Sequence, residues 1–189
     1  VGISGVDAGL IRAHRRPPVE REGDSPIDYG YVGDIDSVDA DVLQKQLDNG
    51  LIPIVSPLSC DSSGTVLNIN ADTVAAAIAA ELDAEKLIIA MGVPGILDNA
   101  DDPHSLISYV DRAALDKLRV DGKLTDGMLP KAAAIDAALA NGVKRVHIIS
   151  YKVVDSLLLE VFTNEGTGTL IVNDIAALTP AEAALNGKN

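Results

Sequence analysis

Short, mainly apolar segments alternate with helical patterns along most of this sequence, and this alternation limits the folds that the chain can adopt. Residues 86–91, 145–149 and 169–172 are each too short to cross a membrane, and apolar side chains at consecutive positions are typical of strands buried on both faces. Residues 52–55 form a similar short segment, and helical spacing occurs between the four segments, at 71–82, 131–141 and 156–162. Because parallel strands need a crossover connection, usually a helix, the alternation predicts an α/β fold: an open, mostly parallel sheet sandwiched by helices.

The N-terminal region adds shorter elements. Residues 1–3 and 10–12 flank a turn-rich segment and predict an N-terminal β-hairpin. Alternating apolar and acidic residues at 32–38 predict a half-buried strand, after which Asp39 is expected to cap a helix that ends at Gly50. A chain of 189 residues is long enough to bury a core unaided, and we expect a single domain.

Composition excludes several classes of partner. The net charge of −13 repels phosphate backbones and anionic membrane surfaces, so neither nucleic acid nor a membrane is an expected partner. The single cysteine, Cys60, cannot form an intrachain disulfide, and no apolar run approaches the ~20 residues of a membrane span. We expect a cytoplasmic protein, or one of a plastid or mitochondrial matrix, whose chain starts inside a longer or processed one.

Polar residues at the start of the helix over 71–82 form the first candidate site. Asn68, Asn70 and Asp72 lie within five residues, which is more than one helix needs for capping. Carboxamides can donate to a substrate carboxylate, and an aspartate can hold a lysine. Capping alone is the competing interpretation, and spacing does not separate the two.

Two further segments are candidates for binding an anion. Gly92 and Gly95 bracket a proline directly after a buried strand, so a ligand can approach backbone amides there, although such a segment is also an ordinary turn and is no Walker motif. Lys131 follows Pro130 at the start of a helix, where the helix dipole disfavours a cation unless an anion binds beside it. A misplaced surface lysine is the alternative.

The sequence pattern indicates neither a metal site nor a catalytic nucleophile. His14, His104, His147 and Cys60 share no ligand spacing, so no metal site is expected. His147 lies in an apolar run and is expected to be a satisfied core histidine. The residues alone thus indicate a small-molecule site for an anionic ligand.

Seven segments together resemble the acetylglutamate kinases of the amino-acid kinase family. They occur in the family's order and cover nearly the whole chain. The most specific are the Asn-x-Asn-Ala-Asp and Gly-Met-x-Pro-Lys segments. The seven are residues 68–75, 85–88, 93–97, 126–131, 146–149, 156–160 and 165–169. The resemblance implies an amino-acid-kinase-like fold in which residues 1–189 correspond to the C-terminal, nucleotide-binding part.

The resemblance also implies an activity and a role for each matched residue. The family transfers the γ-phosphoryl group of ATP, with Mg²⁺, to the side-chain carboxylate of N-acetyl-L-glutamate, a step of arginine biosynthesis. Asp72 and Lys131 match catalytic positions, and Asn68 and Asn70 match substrate-binding positions. The implied nucleotide-binding residues are Gly92, Val93, Pro94, Gly95, Ile96, Leu97, Lys123, Leu124 and Thr125.

Regulation and assembly are implied in the same way. Glu165, Gly166 and Gly168 resemble the loop that arginine-inhibited members use, with an N-terminal helix, to hold the feedback inhibitor. A simple turn into the last strand is the competing interpretation. Because no segment of 1–189 matches the N-terminal helix, we expect arginine to bind weakly or not at all, and the family implies a homo-oligomer.

The chain departs from the family pattern in ways that bear on activity. The family's first third carries a strand ending in a lysine and a glycine-rich phosphate loop, which residues 1–189 do not match, and Gly92 stands where the family usually has aspartate. We therefore expect this chain alone to be poorly active or inactive. Alternatives are an amino-acid kinase of the aminoadipate or aspartate type, or a non-catalytic nucleotide-binding or regulatory module.

Overall fold

A computed structural model describes residues 1–20, 23, 25–99, 102, 104–124, 127–163 and 166–178. The chain divides into two compact units, Val1–Leu82 and Asp83–Asn189. In the part of the chain that the structure describes, no helix combines the length and apolar character needed to cross a membrane.

The first unit contains short strands around two helices. Its strands are β1 (Gly2–Ser4), β2 (Ile11–Arg15), β3 (Gly33–Val38), β4 (Ile54–Ser56), β5 (Leu58–Cys60) and β6 (Val66–Asn68), and its helices are α1 (Ala40–Asp48) and α2 (Ala71–Glu81). Strands β3, β2, β5 and β6 form one sheet in that order, and β1 and β4 form a second, parallel pair.

The N-terminal strands pair differently from the simple hairpin predicted for residues 1–3 and 10–12. Antiparallel pairing is found between β2 and β3, whereas β1 pairs in parallel with β4, with Ile3 opposite Val55. The turn between β1 and β2 is a 3-10 helix, Asp7–Gly9, in which Ala8 and Gly9 both have positive φ. After this turn, β2 enters a different sheet from β1, so the two strands do not form a hairpin.

Helix ends in the first unit follow their sequence signals. The Asp39 side chain accepts a hydrogen bond from the amide of Asp41 at the start of α1, and the helix is followed by Gly50 at φ +72°. Leu10, Leu43 and Leu67 are fully buried at the centre of this unit's core. The helix predicted after Asp39 is therefore confirmed at both ends.

The second unit is a four-stranded mixed sheet with helices. It comprises β7 (Lys86–Met91), β8 (Tyr109–Asp111), α3 (Arg112–Val120), α4 (Leu129–Ala140), β9 (Arg145–Ser150), α5 (Ser156–Phe162) and β10 (Thr169–Val172). The strand order is β7-β9-β10-β8, in which only the β9–β10 pair is antiparallel. The predicted α/β class, with open and mostly parallel sheets flanked by helices, is confirmed.

Candidate functional site

The first candidate region is the junction of β6 and α2. Asn70 is the N-cap of α2, and its Oδ1 accepts hydrogen bonds from the amides of Asp72 at 2.9 Å and Thr73 at 3.2 Å. Asn68 is the last residue of β6, with an exposed side chain, and Asp72 lies half-buried in the first turn of α2. The structure thus brings the three predicted residues to one end of a helix and gives Asn70 a capping role there.

The second candidate region is a cavity in the second unit, at the carboxyl end of β7. It has a volume of about 100 Å³. Six of the predicted nucleotide-binding residues line it, and Met128, which sequence reasoning missed, completes the lining. The six are Val93, Gly95, Ile96, Leu97, Lys123 and Leu124. Gly92 and Pro94 belong to the same loop, whereas Thr125 lies outside the described residues.

Close packing determines the path of this loop, residues 92–97. A Cβ atom on Gly95 would lie 2.4 Å from Oγ1 of Thr169 and 2.7 Å from Cδ1 of Leu106, so glycine is needed for the loop to come this close. The Ile107 amide donates to the Ile96 carbonyl at 2.8 Å. The loop is therefore a tightly held wall of the cavity.

Lys123 supplies the charge at the edge of the cavity. Its Nζ lies 2.6 Å from Oδ1 of Asp98, and this hydrogen bond raises the pKa of the Lys123 ammonium above its ordinary value. Both side chains are well exposed to water, so the ion pair is weak and exchanges readily. Lys123 is therefore a cation that an incoming phosphate can attract.

Lys131 occupies the first turn of α4. The helix has Pro130 in its opening turn, and Met128 at the N-cap position provides no side-chain hydrogen bond to the first amides. Lys131 itself is half-buried. A helix N-terminus and an ammonium group together suit a phosphate, because both carry positive charge and hydrogen-bond donors.

The candidate residues are distributed over both units. Asn68, Asn70 and Asp72 belong to the first unit, and the cavity and Lys131 belong to the second. Among the described residues, no group of three or more histidine, cysteine, aspartate or glutamate side chains could hold a metal ion.

A buried, hydrogen-bonded pair of side chains lies next to the segment predicted to bind an effector. Nδ1 of His147 and Oε1 of Glu160 are 2.6 Å apart, and each side chain is only 6% exposed. The second carboxylate oxygen of Glu160 accepts a hydrogen bond from the amide of Thr167 at 2.7 Å. The prediction that His147 is a core residue agrees with its position, but its Nε2 is buried without a hydrogen-bond partner among the described residues.

Sequence reasoning missed Glu160, although a signal was available. The residue interrupts the otherwise apolar helix α5, where an isolated carboxylate needs a buried partner. Gly166, at φ +59°, and Gly168 turn the chain into β10 beside this pair, and Glu165 lies outside the described residues. The assignment of these three positions to an effector stays a prediction.

Opposing effects act on the pKa of Glu160. Burial by itself would raise it, but the hydrogen bonds from His147 and Thr167 outweigh burial, and the pKa lies below the ordinary value of 4.5. A group with a depressed pKa stabilises the fold at pH values above its unfolded-state pKa. That stabilisation is lost as the pH falls below about 4.5 toward the folded-state pKa.

Glu160→Gln is therefore expected to flatten the acid limb of the stability profile. Below pH 4.5, the free energy of unfolding should fall more steeply with decreasing pH in wild type than in Glu160→Gln. The difference in slope is at most about 1.4 kcal/mol per pH unit, the value for uptake of one proton on unfolding. Urea unfolding at several pH values measures the slope. Glu81→Gln is the control, because this carboxylate is exposed at the end of α2. Equal slopes in wild type and Glu160→Gln would contradict the expectation.

Comparison with known proteins agrees with the motif pattern. A model of the amino acid kinase family matches residues 1–150. The acetylglutamate kinase of Myxococcus xanthus is 47% identical over 182 residues, which cover 93% of this chain and 59% of that protein. That of Symbiobacterium thermophilum is 46% identical over 172 residues, covering 91% and 59%. The chain therefore spans about three fifths of the length of these relatives.

A solved structure supports the fold independently. N-acetylglutamate synthase from Neisseria gonorrhoeae, complexed with coenzyme A and L-arginine, superposes with a TM-score of 0.76 at 28% sequence identity. The match covers 90% of this chain and 37% of that one.

Proposed function

Because the chain belongs to the amino acid kinase family, we propose that it contributes the nucleotide site of an enzyme that phosphorylates N-acetyl-L-glutamate at its side-chain carboxylate. The observation that carries the proposal is the cavity formed by the loop 92–97 with Lys123 and Leu124. The identity of 43–47% to acetylglutamate kinases supports this acceptor over aminoadipate or aspartate.

The cavity suits the base of ATP. Its lining is mainly apolar, from Val93, Ile96, Leu97, Leu124 and Met128. A volume of about 100 Å³ holds only part of a nucleotide, since sites for whole drug-sized ligands have about 300–1,000 Å³. We therefore assign the base to the cavity and the phosphates to the charged groups outside it.

Lys131 and the start of α4 are the groups proposed to meet the transferring phosphoryl group. Catalysis of this reaction depends on positioning and on compensating charge at the phosphoryl oxygens, not on a covalent intermediate. In the first unit, the resemblance supports Asp72 as a catalytic residue and Asn68 and Asn70 as residues that bind the amino-acid substrate. Mg²⁺ is held in such sites largely by the nucleotide's phosphates and water, with one or two carboxylates, so a preformed acidic cluster is not required.

The same proposal covers the pathway, the assembly and the effector of the whole enzyme. The chain spans only about three fifths of its curated relatives, and we propose that it corresponds to their C-terminal, nucleotide-binding part. A role in arginine biosynthesis and assembly into a homo-oligomer belong to this proposal. So does an arginine effector near Gly166 and Gly168.

Lys131→Ala is expected to weaken Mg–ATP binding by about tenfold while leaving the Tm within about 3 °C of wild type. The loss of a charge-assisted hydrogen bond to phosphate lowers affinity, whereas removing a cation from a helix N-terminus costs little stability. Isothermal calorimetry and a thermal melt measure the two effects. Lys117→Ala, in the exposed last turn of α3, removes one charge of the same kind and is expected to bind ATP as wild type does. Unchanged affinity in Lys131→Ala would defeat the assignment.

A further inference from the structure

The hydroxyl of Thr169 joins three segments of the second unit. Thr169 is the first residue of β10 and is fully buried. Its Oγ1 donates a hydrogen bond to the Ile107 carbonyl at 2.7 Å and accepts one from the Ile96 amide at 2.9 Å. One side chain therefore links β10 to the loop 92–97 and to the segment before β8.

The bond to the Ile96 amide matters most because this amide is buried, whereas the bond to the Ile107 carbonyl is only partly buried. Ile96 is only 2% exposed, and its side chain lines the cavity. Removing a hydrogen-bond partner from a buried amide leaves its desolvation uncompensated, so the loop would have to move to find water or another acceptor. Such a movement would displace Ile96 and Gly95 together, and both form the cavity wall.

The position of Thr169 is itself tightly determined. It lies opposite Ile148 in the β9–β10 register, and the next amide, that of Leu170, donates to the Ser108 carbonyl at 2.8 Å. Two residues earlier, Thr167 is held by the buried carboxylate of Glu160. The hydroxyl is therefore presented to the loop from a rigid strand rather than from a mobile turn.

We propose that Thr169 is a positioning residue for nucleotide binding: its hydroxyl holds the loop 92–97 in the conformation that forms the cavity. The inference rests on the proposed function, since it concerns the same nucleotide site. Thr169 acts through the Ile96 amide and contributes no atom to the cavity lining. Serine can replace it, because serine also donates and accepts, whereas isosteric valine cannot.

Thr169→Val and Thr169→Ser test the proposal. Thr169→Val is expected to bind Mg–ATP about tenfold more weakly than wild type and to exchange the Ile96 amide hydrogen at least tenfold faster. For Thr169→Ser, the affinity and the exchange rate are both expected to stay within about threefold of the wild-type values. Calorimetry measures the affinity, and hydrogen exchange followed by NMR measures the amide. Thr169→Ala, which adds no atoms, replaces the valine variant if that variant does not fold.

Ser59→Ala is the control for a general loss of stability. The buried Ser59 hydroxyl donates to the Ile11 carbonyl in the first unit and does not line the cavity. Unchanged ATP affinity in Thr169→Val, or an equal loss in Ser59→Ala, would overturn the role of Thr169 and leave the proposed function standing. Failure of the wild-type chain to bind ATP would overturn the proposed function, and this inference with it.

Discussion

Gly168→Ala is expected to destabilise the second unit by more than about 4 kcal/mol, enough to prevent cooperative folding. An alanine Cβ at this position would lie 1.8 Å from the carbonyl oxygen of Ile148 and 2.9 Å from its carbonyl carbon. Both are backbone atoms of β9, the strand paired with β7 on one side and β10 on the other. Because β9 cannot move without breaking both pairings, the clash cannot be relieved by a rotamer change. Urea unfolding followed by circular dichroism measures the loss.

Gly2→Ala is the matched control for this substitution. Gly2 is the first residue of strand β1, as Gly168 directly precedes strand β10, but nothing lies within 4 Å of the Cβ added at Gly2, and Gly2 is not among the glycines with positive φ. Its effect is expected to stay within about 1 kcal/mol. An unfolding midpoint of Gly168→Ala close to that of wild type would mean that β9 and β10 do not approach each other as described.

A polypeptide of residues 1–189 is expected to phosphorylate N-acetyl-L-glutamate at least ~10²–10³ times more slowly than the ~10 s⁻¹ typical of enzymes. The chain spans about three fifths of the acetylglutamate kinases that it resembles. The family pattern assigns a second lysine and a phosphate-binding loop to a first third that residues 1–189 do not match. Removing one member of a preorganised electrostatic site lowers the rate by about 10²–10³, and removing a second lysine together with the phosphate-binding loop lowers it further.

A hydroxamate assay for the acyl phosphate product measures this turnover. Lys131→Ala serves as the background control, because it removes the lysine proposed to meet the phosphoryl group. A rate near ~10 s⁻¹ for the wild-type chain would contradict the expectation. It would mean that residues 1–189 already contain a complete phosphate clamp.

Elements with strong local signals could be predicted from the sequence. The strands Lys86–Met91 and Thr169–Val172 are as predicted because each is apolar after its polar first residue and is followed by glycine or asparagine. The helix Ala71–Glu81 begins where Asn70 provides the cap. Strand β10 is buried at every position, as predicted, whereas β7 alternates between buried and more exposed residues, so burial of β7 on both faces was wrong. A cap, by contrast, depends on the segment itself.

Elements that depend on distant partners could not be predicted. Strands β5, β6 and β8 have only three residues each, too few for a periodicity, and the parallel partner of β1 lies about 50 residues away. The contacts of Thr169 and Glu160 also join distant segments, since Thr169 bonds to Ile107 ahead of β8, and Glu160 of α5 bonds to His147 of β9. For the same reason, the sequence indicated the residues around the cavity but not the hydroxyl that holds its wall.

The most direct test of the nucleotide site is a residue-by-residue titration of the ¹⁵N-labelled chain with Mg–ATP. Saturable shifts are expected at sub-millimolar ATP, concentrated in the amides of 92–97, 123–124 and the first turn of α4. The amides of α3, which forms one wall of the groove lined by Arg112 and Arg119, serve as the internal control and should not shift. No shift up to several millimolar ATP, or shifts confined to α3, would contradict the proposed nucleotide site.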